Sequence, residues 1–82
     1  MENDLDTLVM KAFGKAIKIK RVEVGMTQDN LAAQANLARS FVSGVERGTV
    51  KATTVSVWKL STALKCLPSD LWSIAQTMIS ID

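Results

Sequence analysis

The chain has no histidine and no tyrosine, one cysteine, one proline and four aromatic residues among 82. Without histidine, the usual general base near neutral pH is missing. Cys66 has no general base beside it in sequence. No metal-ligand spacing, glycine-rich phosphate loop or nucleophile elbow occurs. An enzyme is therefore not expected, nor a cofactor, a metal site or a small-molecule ligand. A lone cysteine allows no intrachain disulfide, which suits the cytoplasm. No apolar run approaches the roughly 20 residues that cross a bilayer, so no membrane partner is expected. The acidic start MENDLDTL has neither the basic opening nor the apolar block of a signal peptide.

What is present is apolar residues, 48% of the chain, and unevenly placed charge. One domain of this length, residues 1–82, buries only about 60% of its unfolded surface, but that apolar share is enough for a core without staples. Residues 11–65 hold all ten lysines and arginines against Glu23, Asp29 and Glu46, a net of +7, while the flanks carry five carboxylates. A basic middle between acidic ends suits a polyanion, although a solvated mixed surface has the same charges.

Periodicity gives five short helices. Asp4 and Asp6 suit the positive end of the first. Leu5, Leu8, Val9, Ala12, Phe13, Ala16, Ile17 and Val24 recur at helical spacing, with Lys11, Lys15 and Lys18 off the stripe. IKIKR alternates like a strand and would point Ile19 off the stripe; with no partner strand nearby, helix is preferred. Gly25 suits its C-cap. Thr27 caps the second helix, whose inner face is Leu31, Ala32 and Ala35, and Asn36 tolerates the left-handed turn that follows. Leu37 plugs that turn. In the third helix Val42 and Val45 face inward, Phe41 lies beside them, and Gly48 closes the end. Lys51 lies in the next loop. Thr53 or Thr54 caps the fourth helix, striped by Val57, Leu60, Ser61 and Leu64. Cys66 packs as a small apolar residue. Pro68 opens the fifth helix, about residues 68–80.

The stretch Thr27–Gly48, TQDNLAAQANLARSFVSGVERG, is the centre of this pattern. A helix-turn-helix needs a bracing helix and a second helix that is apolar behind and polar in front, able to lie in the major groove. Arg39, Ser40, Ser43, Gly44 and Arg47 make such a front. Alternation alone describes any surface helix, but the residues are more specific. With KIKRVEVGMTQ upstream and VWKLSTALKCLPSDLW downstream, the segment over about residues 13–72 resembles the XRE-type helix-turn-helix family of lambdoid repressors and Cro. The matching positions are Gln28, Leu31, Ala32, Leu37, Val42, Val45, Glu46 and Gly48. Within that family, RSFVSGVERG is most similar to controller proteins of restriction–modification systems.

The resemblance implies an all-α, five-helix lambda repressor-like DNA-binding domain that regulates transcription by binding double-stranded operator DNA. It implies base contacts from Arg39, Ser40 and Ser43. Phe41 is implied either to touch a thymine methyl or the backbone at the groove wall, or simply to pack at the helix edge. Gly44 matches a base-facing position, implying close backbone approach or a lost contact. Thr27, Gln28, Thr49 and Lys51 match backbone-contact positions, and Arg47 is assigned there as well. Arg21 and Glu46 match a structural ion pair between the first and third helices. Two departures stand out: Leu67 replaces the usual polar cap, leaving the last helix poorly capped or capped by Ser69, and Ile19 replaces a polar residue.

One such domain touches few bases, so a homodimer on a palindromic operator is expected, with half-sites about one helical turn apart. Trp58, Trp72 and Ile79 are the expected interface, since Trp is enriched at such surfaces; the alternative is that both Trp complete the core. Repression by occlusion and activation through RNA polymerase both fit. A phage or plasmid repressor is the alternative within the class, and an antitoxin-like protein-interaction module the alternative outside it.

Overall fold

The computed structural model describes residues 4–79. Five helices follow in order: α1 (Asp4–Glu23), α2 (Gln28–Ala35), α3 (Arg39–Arg47), α4 (Thr54–Ala63) and α5 (Pro68–Met78). The helix-turn-helix fold expected from sequence is present, and no strand occurs among the described residues. The IKIKR segment is helical, as the longer period required. The final turn expected up to residue 80 lies partly outside the described residues.

Local chemistry sets the boundaries. Thr27 Oγ1 accepts from the Asn30 N–H at 3.0 Å, and Asn30 Oδ1 accepts from the Thr27 N–H at 3.3 Å. Thr53 and Ser56 repeat that reciprocal cap at 3.0 and 2.8 Å. Asn36 (φ 56°, ψ 48°) takes the left-handed conformation that turns α2 into α3. Lys65 also adopts positive φ, 58°, where α4 ends, which its sequence does not signal. At α5 neither a polar residue at position 67 nor Ser69 supplies the cap. Asp70 does: its Oδ2 accepts from the Leu67 N–H at 2.9 Å, near the positive end of the helix.

The core lies where α1 crosses α3 and α5, and where α2 braces α3 and α4. Ile17, Leu31, Val42, Val45, Leu60, Leu64 and Leu71 are its fully buried large side chains. Val57, Leu37 and Cys66 pack against them partly buried, and burial raises the Cys66 thiol pKa. The sequence stripe on α1 runs longer than the cover it receives. Leu5 is 60% exposed, Leu8 44% and Val24, beyond the helix end, 43%. Period identifies which face of a helix is apolar; a neighbour must still reach it.

A glycine decides how closely α1 and α3 approach. A Cβ on Gly14 would lie 2.1 Å from the Val45 carbonyl oxygen and 2.8 Å from that of Glu46. The two backbones therefore touch there, which fixes α3 against the longest helix of the fold.

Candidate nucleic-acid interface

α3 is nine residues long, too short to be stable alone, so its shape comes from what holds its back. Val42, Val45 and Gly44 are buried. Arg39, Ser40 and Arg47 are exposed and Ser43 half-buried, at spacings that keep them along one side. Arg47 donates through Nη1 to Ser43 Oγ. Phe41 is half-buried and packs against the main core.

Gly44 does not belong to the polar front. A Cβ there would meet Val50 Cγ2 at 2.4 Å. Its carbonyl accepts from the N–H groups of Thr49 at 2.9 Å and Val50 at 3.3 Å, and from Thr49 Oγ1 at 3.2 Å. Glycine fits there because the loop after α3 folds back against the helix.

The charge on the back of α3 is neutralised from α1. Arg21 Nε donates to Glu46 Oε2 at 2.7 Å and Nη2 to Oε1 at 3.1 Å. The Glu46 side chain is 3% exposed. Arg21 Nη1 also donates to the Met26 carbonyl at 2.8 Å, tying the pair to the turn before α2. Hydrogen bonding to Glu46 is the largest cause of a raised Arg21 pKa. The α3 carboxylate is thus turned inward and paired.

The expected backbone-contact residues fall in two places, Thr27 and Gln28 at the start of α2 and Arg47, Thr49 and Lys51 at and after the end of α3, and most already have protein partners. Gln28 Nε2 donates to Glu46 Oε1 at 2.9 Å, leaving the second amide hydrogen for another acceptor. The Thr27 hydroxyl donates to Asn30 Oδ1 at 2.8 Å. Lys51 Nζ lies 3.8 Å from Asp6 Oδ2 at the start of α1. Arg39 Nε lies 3.2 Å from Asp29 Oδ1, and Nη2 makes a long 3.4 Å bond to Gln28 Oε1. These last links were not foreseen from sequence; the signal available was an acid and an amide opening the helix before an arginine that opens the next.

A second surface collects the aromatics. Trp58 is 65% exposed and Trp72 42%, and they line one shallow groove with Val57 and Pro68. The Trp72 ring lies 4.7 Å from that of Phe13. Trp72 and Val57 also border a neighbouring groove that includes Leu5, Val9 and Met10, so the apolar surface is continuous. Ile79 is not part of it: it packs half-buried beside Ala12, Ala16 and Ala75. No helix among the described residues is long and apolar enough to cross a membrane.

Comparison with known proteins gives a consistent picture. A helix-turn-helix family model matches residues 17–71. The Control protein C.BamHI of Bacillus amyloliquefaciens is 35% identical over 60 residues, 72% of this chain and 74% of that protein. The restriction–modification controller protein C.AhdI from Aeromonas hydrophila is similar in structure, with a TM-score of 0.75 and 39% identity over 76% of this chain and 94% of that one. The controller C.Esp1396I, bound to a 19 base pair DNA duplex, matches with a TM-score of 0.80 and 29% identity, over 89% and 97% of the two chains.

Proposed function

The chain belongs to the helix-turn-helix family, and from that premise we propose how it reads an operator. It is a DNA-binding transcriptional regulator of the restriction–modification controller type. The observation that carries the detailed reading is α3 itself. Its back is locked by Val42, Val45 and Glu46, and its exposed side offers Arg39, Ser40, Ser43 and Arg47. In the major groove, Arg39 grips the O6/N7 edge of a guanine, worth about 1–3 kcal/mol of discrimination. Ser40 and Ser43 meet neighbouring base edges. Thr27, Gln28, Arg47, Thr49 and Lys51 set the register through phosphates, and binding is steeply salt-dependent.

Two copies act together on a palindromic site. The partly exposed Trp58 and Trp72, continuous with Leu5 and Val9, support an isologous contact between them. Ile79, already packed on α1, contributes less. The dimer works in the cytoplasm, and its effect on transcription, occlusion or recruitment of RNA polymerase, follows from where the operator lies relative to the promoter.

The test is selection of bound sequences from random duplexes at fixed salt, for the natural chain and for Arg39→Ala. A two-fold symmetric motif containing guanine, lost in the variant while its thermal melt is unchanged, is the expected result. An unaltered motif in the variant refutes base reading by Arg39, and an asymmetric single half-site refutes the dimer.

A further inference from the structure

Arg39 opens the recognition helix, and its guanidinium is already held. A guanidinium offers two forks: Nε–H with the nearer Nη2–H on its side, and the two Nη groups at its end. The protein contacts fall on Nε and Nη2. Asp29 Oδ1 forms an ion pair with Nε at 3.2 Å, and Gln28 Oε1 accepts from Nη2 at 3.4 Å. Nη1 has no protein partner among the described residues, so the end of the guanidinium keeps donors for a ligand. The two acceptors of a guanine edge take one such fork.

The holding groups are themselves fixed. Gln28 donates its amide to Glu46 at 2.9 Å, which turns its carbonyl oxygen towards Arg39, and Glu46 is clamped by Arg21. Asp29 stands in the first turn of α2. Arg39 would otherwise be a flexible side chain, 63% exposed, carrying about 2 kcal/mol of rotamer entropy that contact with a base would have to freeze.

We propose that Asp29 is a positioning residue for base readout: its carboxylate oxygen holds Arg39 Nε so that the end fork faces the guanine. The inference rests on the base-reading role of Arg39 proposed above. It has a second consequence of opposite sign. A carboxylate beside the expected phosphate contact at Gln28 repels the backbone of any DNA. Asp29 therefore lowers general affinity while it sharpens selection.

The two effects separate by substitution. Asp29→Ala removes both acceptor and charge; Asp29→Asn keeps an acceptor oxygen and loses the charge. Affinity is measured at fixed salt for the selected operator, for the same duplex with the Arg39-read guanine replaced by adenine, and for a random duplex. Asp29→Ala should lower the guanine preference about two- to fivefold, the range an exposed ion pair supports, and tighten binding to the random duplex. Asp29→Asn should tighten random binding equally and lose part of the preference, less than Asp29→Ala does. With Arg39→Ala already present, Asp29→Ala should leave base preference unchanged. Asp29 is 75% exposed, so melting curves should coincide. Full guanine preference in Asp29→Ala, or equal losses in Ala and Asn, overturns the inference. If Arg39→Ala alone changes no base preference, the readout by Arg39 fails and this inference with it.

Discussion

Replacing Arg21 by methionine should cost this fold a large part of its stability. The substitution keeps an apolar stem where the side chain packs but deletes three donors. Glu46 Oε2 loses its 2.7 Å bond, Oε1 its 3.1 Å bond and the Met26 carbonyl its 2.8 Å bond. A carboxylate 3% exposed is then left with only the Gln28 amide. Breaking a buried pair from one side costs about 3–5 kcal/mol, because the remaining charge stays desolvated. A domain of 82 residues has roughly 4–12 kcal/mol in total. At about 4–8 °C per kcal/mol for this size, the melting midpoint should fall on the order of 15 °C or more. Urea and thermal unfolding followed by circular dichroism measure this directly. The double variant Arg21→Met with Glu46→Leu removes both charges and should recover most of the stability, yet it leaves Gln28 without its acceptor and should still bind operator weakly. Because hydrogen bonding to Glu46 raises the Arg21 pKa, its share of the stability is present below the unfolded-state pKa of Arg21 and is lost in strong alkali as the raised pKa is passed. A loss below about 1 kcal/mol in Arg21→Met would mean that Glu46 is solvated, and would refute the reasoning.

Gly14→Ala should destabilise although alanine is the better helix former by about 1 kcal/mol, because the new methyl meets backbone oxygen of α3 at 2.1 Å and overpacking costs about 1–3 kcal/mol or more; a melt at or above that of the natural chain would contradict it. The two tryptophans should differ. Trp58→Ala should shift sedimentation towards monomer at an unchanged monomer melt, whereas Trp72→Ala, which also loses Phe13, should do both; an unaltered dimer in Trp58→Ala moves the interface elsewhere.

The features legible in sequence were those decided within a few residues of themselves. Thr27 and Thr53 cap, Asn36 turns left-handed, and Val42 and Val45 face inward, because capping chemistry and helical period act locally. The Arg21–Glu46 pair spans 25 positions and came only with the family resemblance. What stayed hidden depends on neighbours brought by folding. Gly44 reads as a gap in a polar front until Val50 is seen to fill the space. Gly14 gives no sequence sign of the α3 backbone that lies on it. Leu5 fits the core stripe but stays 60% exposed. Leu67 suggests a poorly capped α5 or a cap from Ser69, while the carboxylate of Asp70, three residues further on, accepts from the Leu67 N–H.

The way α3 is held also bears on how such a regulator changes its target. Val42, Gly44, Val45 and Glu46 cannot vary without a cost to the core, the loop or the ion pair. Arg39, Ser40, Ser43 and Arg47 touch little that folding needs. On the proposed reading, a change of operator falls on Arg39, Ser40 and Ser43, one side of a nine-residue helix, and can leave the scaffold intact. Arg39 differs from the other two, since exchanging it leaves Asp29, 75% exposed, as a solvated carboxylate beside the groove that still repels phosphate.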